Sequence, residues 1–416
     1  MRRIDTRRAI FLSAAALCCS GCVYTRLFYF QTPTLAAPHY FDNRTVHASP
    51  NPLPVPKSRD EARFTLTAKE RTRYRTLDRL LESQGTRAFV VIHDDGVVYE
   101  RYFHGVSAST ELPAFSMSKT YAAVLVGRAI AEGVLPPLDA HVVDYVPELS
   151  RRSGYGDVTL EELLRMTSGI DFDETSLAGP LFYYTTNLRG MMYEYDVEWR
   201  PGTHYLYGSV NVQLLWDVLH RRLGGETVSR YFETEVWAPL GAVSDASWSL
   251  DSDASGIEKF FGGFNATARD HARLGLLFLH DGAVNGRQLL SKEWIARSLA
   301  PDPVPGRIHT TDGWVRRGEF QWFLTEDRRA FFAKGYRGQY IFVVPDEDAV
   351  FVRFGEGYGD VDWPSLFRRL AEQLRRPALA TAGRAPAPVP PNERPATAAA
   401  LLRATPRRSE ARTRPP

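Results

Sequence analysis

The chain has 416 residues and a net charge of +2; 44% of its residues are hydrophobic and 12% aromatic. That length and apolar content suit one two-part globular body with tails, and they exclude a wholly disordered chain. Four Arg face one Asp in residues 1–21, and seven Arg face two Glu in residues 377–416, so the body between is mildly acidic, which argues against a nucleic-acid binder.

The three cysteines, Cys18, Cys19 and Cys22, all lie at the N-terminal end. The body therefore has no disulfide framework, cysteine metal cluster or cysteine nucleophile. Arg2, Arg3, Arg7 and Arg8 precede an apolar run from Ile10 to Cys19, which has the length of a signal core and falls short of a membrane span. Ser20-Gly21-Cys22 then resembles a bacterial lipoprotein cleavage site, with Cys22 as the lipidated residue, although Cys19 stands where Leu is usual. An ordinary cleaved signal and an uncleaved anchor fit the same residues. All three readings export the body to the cell envelope or periplasm, with the membrane touched only through this segment.

Residues 23–60 are rich in Pro and Asn and read as irregular. Lys69 to Gln84 reads as a helix with Leu77, Leu80 and Leu81 on one face. Ala88–Ile92 and Val97–Phe103 read as strands joined at Asp94-Asp95-Gly96, a hairpin signal. A helix is expected from Phe115 to about Glu132, closed by Gly133. Residues 155–300 look mostly helical: one helix starts at Thr159 with Glu161 and Glu162, a second spans Val210–Leu223, and a third spans Thr267–His280 with Thr267 as cap. Strands return at Phe320–Thr325, Ala330–Lys334, Gln339–Pro345 and Ala349–Phe354, and Leu366–Leu374 closes as a helix.

The expected fold class is α+β. Both chain ends (61–155 and 318–376) build an antiparallel sheet flanked by helices, with an all-helical subdomain (156–317) inserted. Segments 1–22 and 23–60 precede the 61–376 body. Residues 377–416, rich in Pro, Ala and Arg, read as a disordered tail.

Three patterns in this body could carry chemistry. In Ser116-Met117-Ser118-Lys119, a Ser and a Lys three apart at a helix start share one face. A desolvated Lys there could take the hydroxyl proton, and the helix N-terminus favours developing negative charge. Taken alone, the pattern also fits a capped helix with a surface Lys. In Tyr207-Gly208-Ser209, two hydroxyls lie just before a helix and could share proton transfer, or could simply cap and pack. In Lys334-Gly335-Tyr336-Arg337-Gly338-Gln339, two glycines permit close backbone approach, an edge N–H could stabilise an oxyanion, and Lys334 or Arg337 could bind a carboxylate.

In this order the three patterns resemble the serine β-lactamase and penicillin-binding-protein superfamily, and most closely its class C-like branch of esterases and 6-aminohexanoate-dimer hydrolases. The resemblance runs over most of residues 85–360. It is supported by Leu138-Asp139 to Pro147-Glu148-Leu149, by Leu163 to Ile170, and by Gly262 to Asp270. It implies an exported serine hydrolase working through an acyl-serine. Ser116 would be the nucleophile, and Lys119 and Tyr207 would move its proton. Backbone N–H groups of Ser116 and of Tyr336 or Gln339 would hold the oxyanion; Ser209, Arg337 and Gly338 would line the substrate. No metal or cofactor is implied, and His141, His204 and His271 are dispensable. Two departures matter. Ser209 stands where Asn is usual, and Tyr336-Arg337-Gly338 stands where Lys-Thr-Gly is usual. They favour an ester or small linear amide as substrate over a β-lactam. A β-lactamase or peptidase of the same fold is the alternative, and a non-catalytic envelope binding protein is the reading from a third class.

Overall fold

The long apolar runs near the two ends of the chain become neighbouring strands. A computed structural model describes residues 23–30, 32–304, 308–310 and 313–375. The N-terminal segment with Cys22 and the 377–416 tail lie outside the described residues. In chain order the first part holds α1 (Val23–Phe30), β1 (Asn43–Val46), α2 (Ala68–Tyr74), α3 (Leu77–Ser83), β2 (Thr86–His93), β3 (Gly96–Tyr102), β4 (Leu112–Pro113) and α4 (Ser118–Ala131). The middle holds α5 (Leu160–Arg165), α6 (Ala178–Tyr184), α7 (Leu188–Met192), α8 (Ser209–Arg222), α9 (Val228–Phe232), β5 (Ala246–Ser249), β6 (Phe264–Ala266), α10 (Ala268–Leu279), β7 (Ala283–Val284), β8 (Arg287–Gln288) and α11 (Lys292–Leu299). The last part holds β9 (Ile308–Thr310), β10 (Gly313–Arg317), β11 (Phe323–Leu324), β12 (Phe331–Gly335), β13 (Gln339–Val344), β14 (Ala349–Gly355) and α12 (Trp363–Glu372).

An eight-stranded antiparallel sheet runs β3-β2-β14-β13-β12-β11-β10-β9. The β2–β14 pairing joins the two ends of the chain, with Val90 opposite Val352 and Ile92 opposite Val350. Alternation along these strands explains the unbroken apolar runs. Val90, Ile92, Ile341, Val343, Val350 and Val352 face the main core, where α10 packs on the sheet. Phe89, Val91, Phe342, Val344 and Phe351 face the opposite side, under Leu77, Leu80 and Leu81 of α3 and Trp363, Leu366 and Phe367 of α12. A sheet covered on both faces has no polar side to show in its sequence. The β2–β3 turn has Asp94 and Asp95 at φ 48° and 58°, the left-handed pair that a two-residue hairpin needs.

The fold is thus the mixed α/β arrangement expected, with an antiparallel sheet flanked by helices. Details differ. The helix expected over Lys69–Gln84 is two helices, because Arg75 turns left-handed at φ 69° and Thr76 caps the second. Segment 23–60 is less irregular than its composition suggests: it contains α1 and β1, and β1 pairs with β5 from the far side of the chain. The middle carries short strands beside its helices, β5 and β6 lying in a second sheet ordered β1-β5-β6-β4. The second run of main-sheet strands begins at Ile308, earlier than the strand pattern indicates. Within Phe320–Thr325 only Phe323 and Leu324 are extended, since Gln321 has φ 63°.

Candidate active site

The Phe115–Met117 stretch is a single tight turn that runs straight into α4. Phe115 sits in the left-handed region at φ 46°, a conformation costing a non-glycine residue on the order of 1–3 kcal/mol. Its ring is buried and meets Tyr336 edge-on at 5.9 Å. The turn is held from behind as well: Ser118 Oγ accepts from the Phe264 N–H at 3.0 Å, and the Thr120 hydroxyl donates to the Gln321 carbonyl at 2.9 Å. Ser116 is thereby fixed in the wall of a cleft of about 670 Å³, which Phe115, Tyr183, Tyr184 and Phe261 also line.

Lys119 lies one turn on and is 2% exposed. Its Nζ donates to Ser116 Oγ at 3.2 Å and to the Phe261 carbonyl at 2.9 Å. Burial pulls its ammonium down to about 8, against the pull of the Glu174 charge in the other direction. Its Nζ also stands 5.0 Å from the centre of the Tyr207 ring. Tyr207 lines the cleft together with Ser116; burial, with Glu174 helping, raises its phenol far above the ordinary value, so it stays protonated. Ser116, Lys119 and Tyr207 therefore share one cluster, in which the amine can lose a proton near neutral pH and the phenol holds its own.

The third pattern flanks the same cleft. β11 pairs only with Phe331 and Phe332 of β12, so the remainder of β12 presents an open edge beside the Ser116 turn. Gly335 is what lets the two backbones meet, because a methyl there would clash with the Ala114 carbonyl oxygen. Tyr336 lines the cleft and is 43% exposed. Gln339 is fully buried and faces its own turn: its amide donates to the carbonyls of Tyr336 at 3.0 Å and Gly355 at 2.9 Å, and its oxygen accepts from the Gly355 N–H at 2.7 Å. Its side chain braces the turn, and Tyr336 is the candidate that reaches the cleft. Gly338 has φ 77° and offers its carbonyl to Arg353 at 2.5 Å.

Two expected substrate contacts are used elsewhere. Arg337 Nε donates to the Pro33 carbonyl at 2.7 Å, Nη1 to the Glu356 carbonyl at 2.5 Å and Nη2 to Thr32 Oγ1 at 3.2 Å. Its guanidinium fork is spent on fastening the N-terminal segment. Lys334 lines the cleft along with Lys119, its Nζ 4.8 Å from the Tyr358 ring centre and 5.6 Å from that of Tyr340. Ser209 lines the cleft, but its hydroxyl donates to Glu174 at 2.7 Å, as does its backbone N–H.

Glu174 is a residue that sequence reasoning missed. It caps α8 through Ser209 and supplies the carboxylate charge that acts on Lys119 and Tyr207. It stands in an aperiodic stretch 35 residues from its partner, so nothing local marks it. The Phe261 carbonyl was missed for the same reason, being 142 residues from Lys119. The histidines stay outside the cluster. His271 is buried between the Tyr121 hydroxyl at 2.9 Å and the Leu112 carbonyl at 3.2 Å, and burial lowers it to about 4. His204 contacts Thr203, and His141 is exposed.

Comparison with known proteins points the same way. Residues 75–375 match the β-lactamase family. The chain is 29% identical over 317 residues to the 6-aminohexanoate-dimer hydrolase of Paenarthrobacter ureafaciens, covering 70% of this chain and 76% of that protein. The structure of a candidate 6-aminohexanoate-dimer hydrolase from Bacillus anthracis aligns with a TM-score of 0.69 at 20% identity, over 86% of this chain and 95% of that one. A family VIII carboxylesterase aligns with a TM-score of 0.56 at 19% identity, over 75% and 98%. These two structural likenesses concern the fold.

Proposed function

The chain belongs to the β-lactamase family, and from that premise we propose that it is a serine hydrolase cleaving an ester or small linear amide through an acyl-serine intermediate. The observation that carries this reading is the buried Lys119 amine, brought to about 8 and hydrogen-bonded to Ser116 Oγ at 3.2 Å.

Neutral Lys119 accepts the Ser116 hydroxyl proton as Oγ bonds to the substrate's carbonyl carbon. The carbonyl electron pair moves onto oxygen, where the backbone N–H groups of Ser116 and Tyr336 meet it. The oxyanion collapses, the bond to the leaving alcohol or amine breaks, and the proton returns to that group through the Tyr207 hydroxyl. Water then adds to the acyl carbon and gives its proton to Lys119 by the same route; the adduct collapses, Ser116 Oγ leaves and takes that proton back from Lys119, and the acid and free Ser116 are released. A protonated Tyr207 suits a relay better than a base. Arg337 is committed to Thr32, Pro33 and Glu356, which removes one cation that could read a β-lactam carboxylate and supports the ester or amide ranking. The proposal also places the body in the cell envelope, tethered through Cys22 after the apolar run from Ile10 to Cys19.

The test compares the protein with its Ser116→Ala variant on a short-chain p-nitrophenyl ester and on a chromogenic cephalosporin. Ester turnover that disappears with Ser116, with no cephalosporin turnover, is the predicted result. Serine-dependent cephalosporin turnover would reverse the substrate ranking.

A further inference from the structure

The helix that opens the described chain has two unlike faces. Val23, Arg26, Leu27 and Phe30, at i, i+3, i+4 and i+7, form the inner stripe that packs toward α6. Arg26 Nη1 donates to the Asp251 carbonyl at 3.1 Å, and Phe30 stacks on Tyr40 at 4.2 Å and on Tyr184 at 6.1 Å. The outer face carries Tyr24, Phe28 and Tyr29, exposed at 63%, 80% and 76%. A helix that is apolar on both faces is unusual on a water-facing surface.

The chain leaving this helix runs directly into the cleft wall. Thr32 and Pro33, just after α1, are part of the cleft wall, and Arg337 fastens both beside Tyr336. Leu177, 59% exposed, precedes α6, whose Tyr183 and Tyr184 line the cleft. Thus five of the eight large apolar side chains most exposed among the described residues (Tyr24, Phe28, Tyr29, Leu177 and Tyr336) belong to α1 or to segments forming the cleft mouth. In the sequence, Val23 directly follows Cys22 and the apolar run from Ile10 to Cys19.

We propose that α1, with Leu177 and Tyr336, is a membrane-facing collar that seats the mouth of the Ser116 cleft on a lipid bilayer, and that the substrate is an amphiphile whose ester or amide enters from that surface. The inference rests on the acyl-serine reading above and narrows its substrate class. Tyr and Phe on one helix face suit the boundary between headgroups and acyl chains, where an aromatic body is buried and a phenol tip stays wet. A tether at Cys22, directly before Val23, would bring this face to the bilayer. The apolar walls from Phe115, Tyr183, Tyr184 and Phe261 would take an acyl chain.

The test uses the full chain and a variant carrying Tyr24→Ser, Phe28→Ser and Tyr29→Ser, none of which touches the Ser116 cluster. Each is assayed on a soluble short-chain ester and on a long-chain ester embedded in phosphatidylglycerol–phosphatidylcholine vesicles. The expected result is soluble turnover kept within about twofold and vesicle turnover lowered at least about tenfold. Equal losses on both substrates, or no loss on either, overturn the proposal. A variant that only converts a dimer to a monomer, with vesicle turnover intact, also overturns it and assigns the face to a second copy. Quenching by brominated lipids of the tryptophan added in Phe28→Trp reads the surface without turnover. If the wild type hydrolyses neither ester, the acyl-serine reading fails, and this quenching decides the collar alone: its absence overturns it.

Discussion

Lys119 and Glu174 set the charge balance around Ser116. Burial lowers the Lys119 amine to about 8, and the Glu174 carboxylate holds it from falling further. In the proposed mechanism the neutral amine is the working form, so kcat/KM is predicted to fall as pH drops through that value. Glu174→Gln removes the supporting charge, and the amine then loses its proton at lower pH. The acid limb of the pH profile is predicted to move down by roughly half a unit or more. An unmoved limb, or one shifted upward, would contradict this balance. Spacing alone placed Ser116 and Lys119 on one helix face. It could not show whether Lys119 reached solvent, because the Phe261 carbonyl and the walls that bury it come from distant segments.

At the scale of elements, the site depends on how closely β12 approaches the Ser116 turn. Gly335 has an ordinary φ, so its role is space: any side chain would strike the Ala114 carbonyl oxygen. Gly335→Ala must push β12 from the Ser116 turn. A displacement of about 1 Å costs on the order of 10²-fold in rate. That loss in kcat/KM is predicted with an unchanged far-UV circular dichroism spectrum; full activity would contradict the assigned approach. Elements with strong local signals were legible. Thr267 caps α10 by accepting from the Asp270 N–H, and Thr159 begins α5 with Glu162 in a reciprocal cap. Elements that owe their form to distant partners were not. β1 exists because β5 pairs with it, and the break at Arg75 follows no proline or glycine. The Ser209 side chain could be placed near the cleft but not aimed, since its partner Glu174 lies in a loop without periodicity.

Across the whole molecule, the two chain ends meet around Arg353, which is fully buried. Its guanidinium donates to Thr86 Oγ1 at 3.0 Å and to the carbonyls of Gln84 at 2.9 Å, Gly338 at 2.5 Å and Gly357 at 3.0 Å, and it lies 3.7 Å from the Trp363 ring centre. One side chain thus ties the start of β2, the turn beside the cleft and the closing helix together. A lysine cannot reproduce that fork, and buried carbonyls would lose their donors. Arg353→Lys is predicted to cost about 2–4 kcal/mol in urea unfolding. A change below about half a kcal/mol would show that the two ends are joined by the sheet alone. That both ends build one sheet was legible from apolar runs at residues 88–103 and 330–354; the arginine that joins them was not, because its partners are backbone carbonyls.

The central claim is that Ser116 is a nucleophile activated by Lys119. The most direct measurement treats the protein and its Ser116→Ala and Lys119→Met variants with a fluorophosphonate, followed by mass spectrometry of the labelled peptide. The account predicts one adduct on Ser116 in the parent protein, none in Ser116→Ala, and labelling slowed by at least about 10²-fold in Lys119→Met. An adduct that survives Ser116→Ala, or an unchanged rate in Lys119→Met, would contradict it.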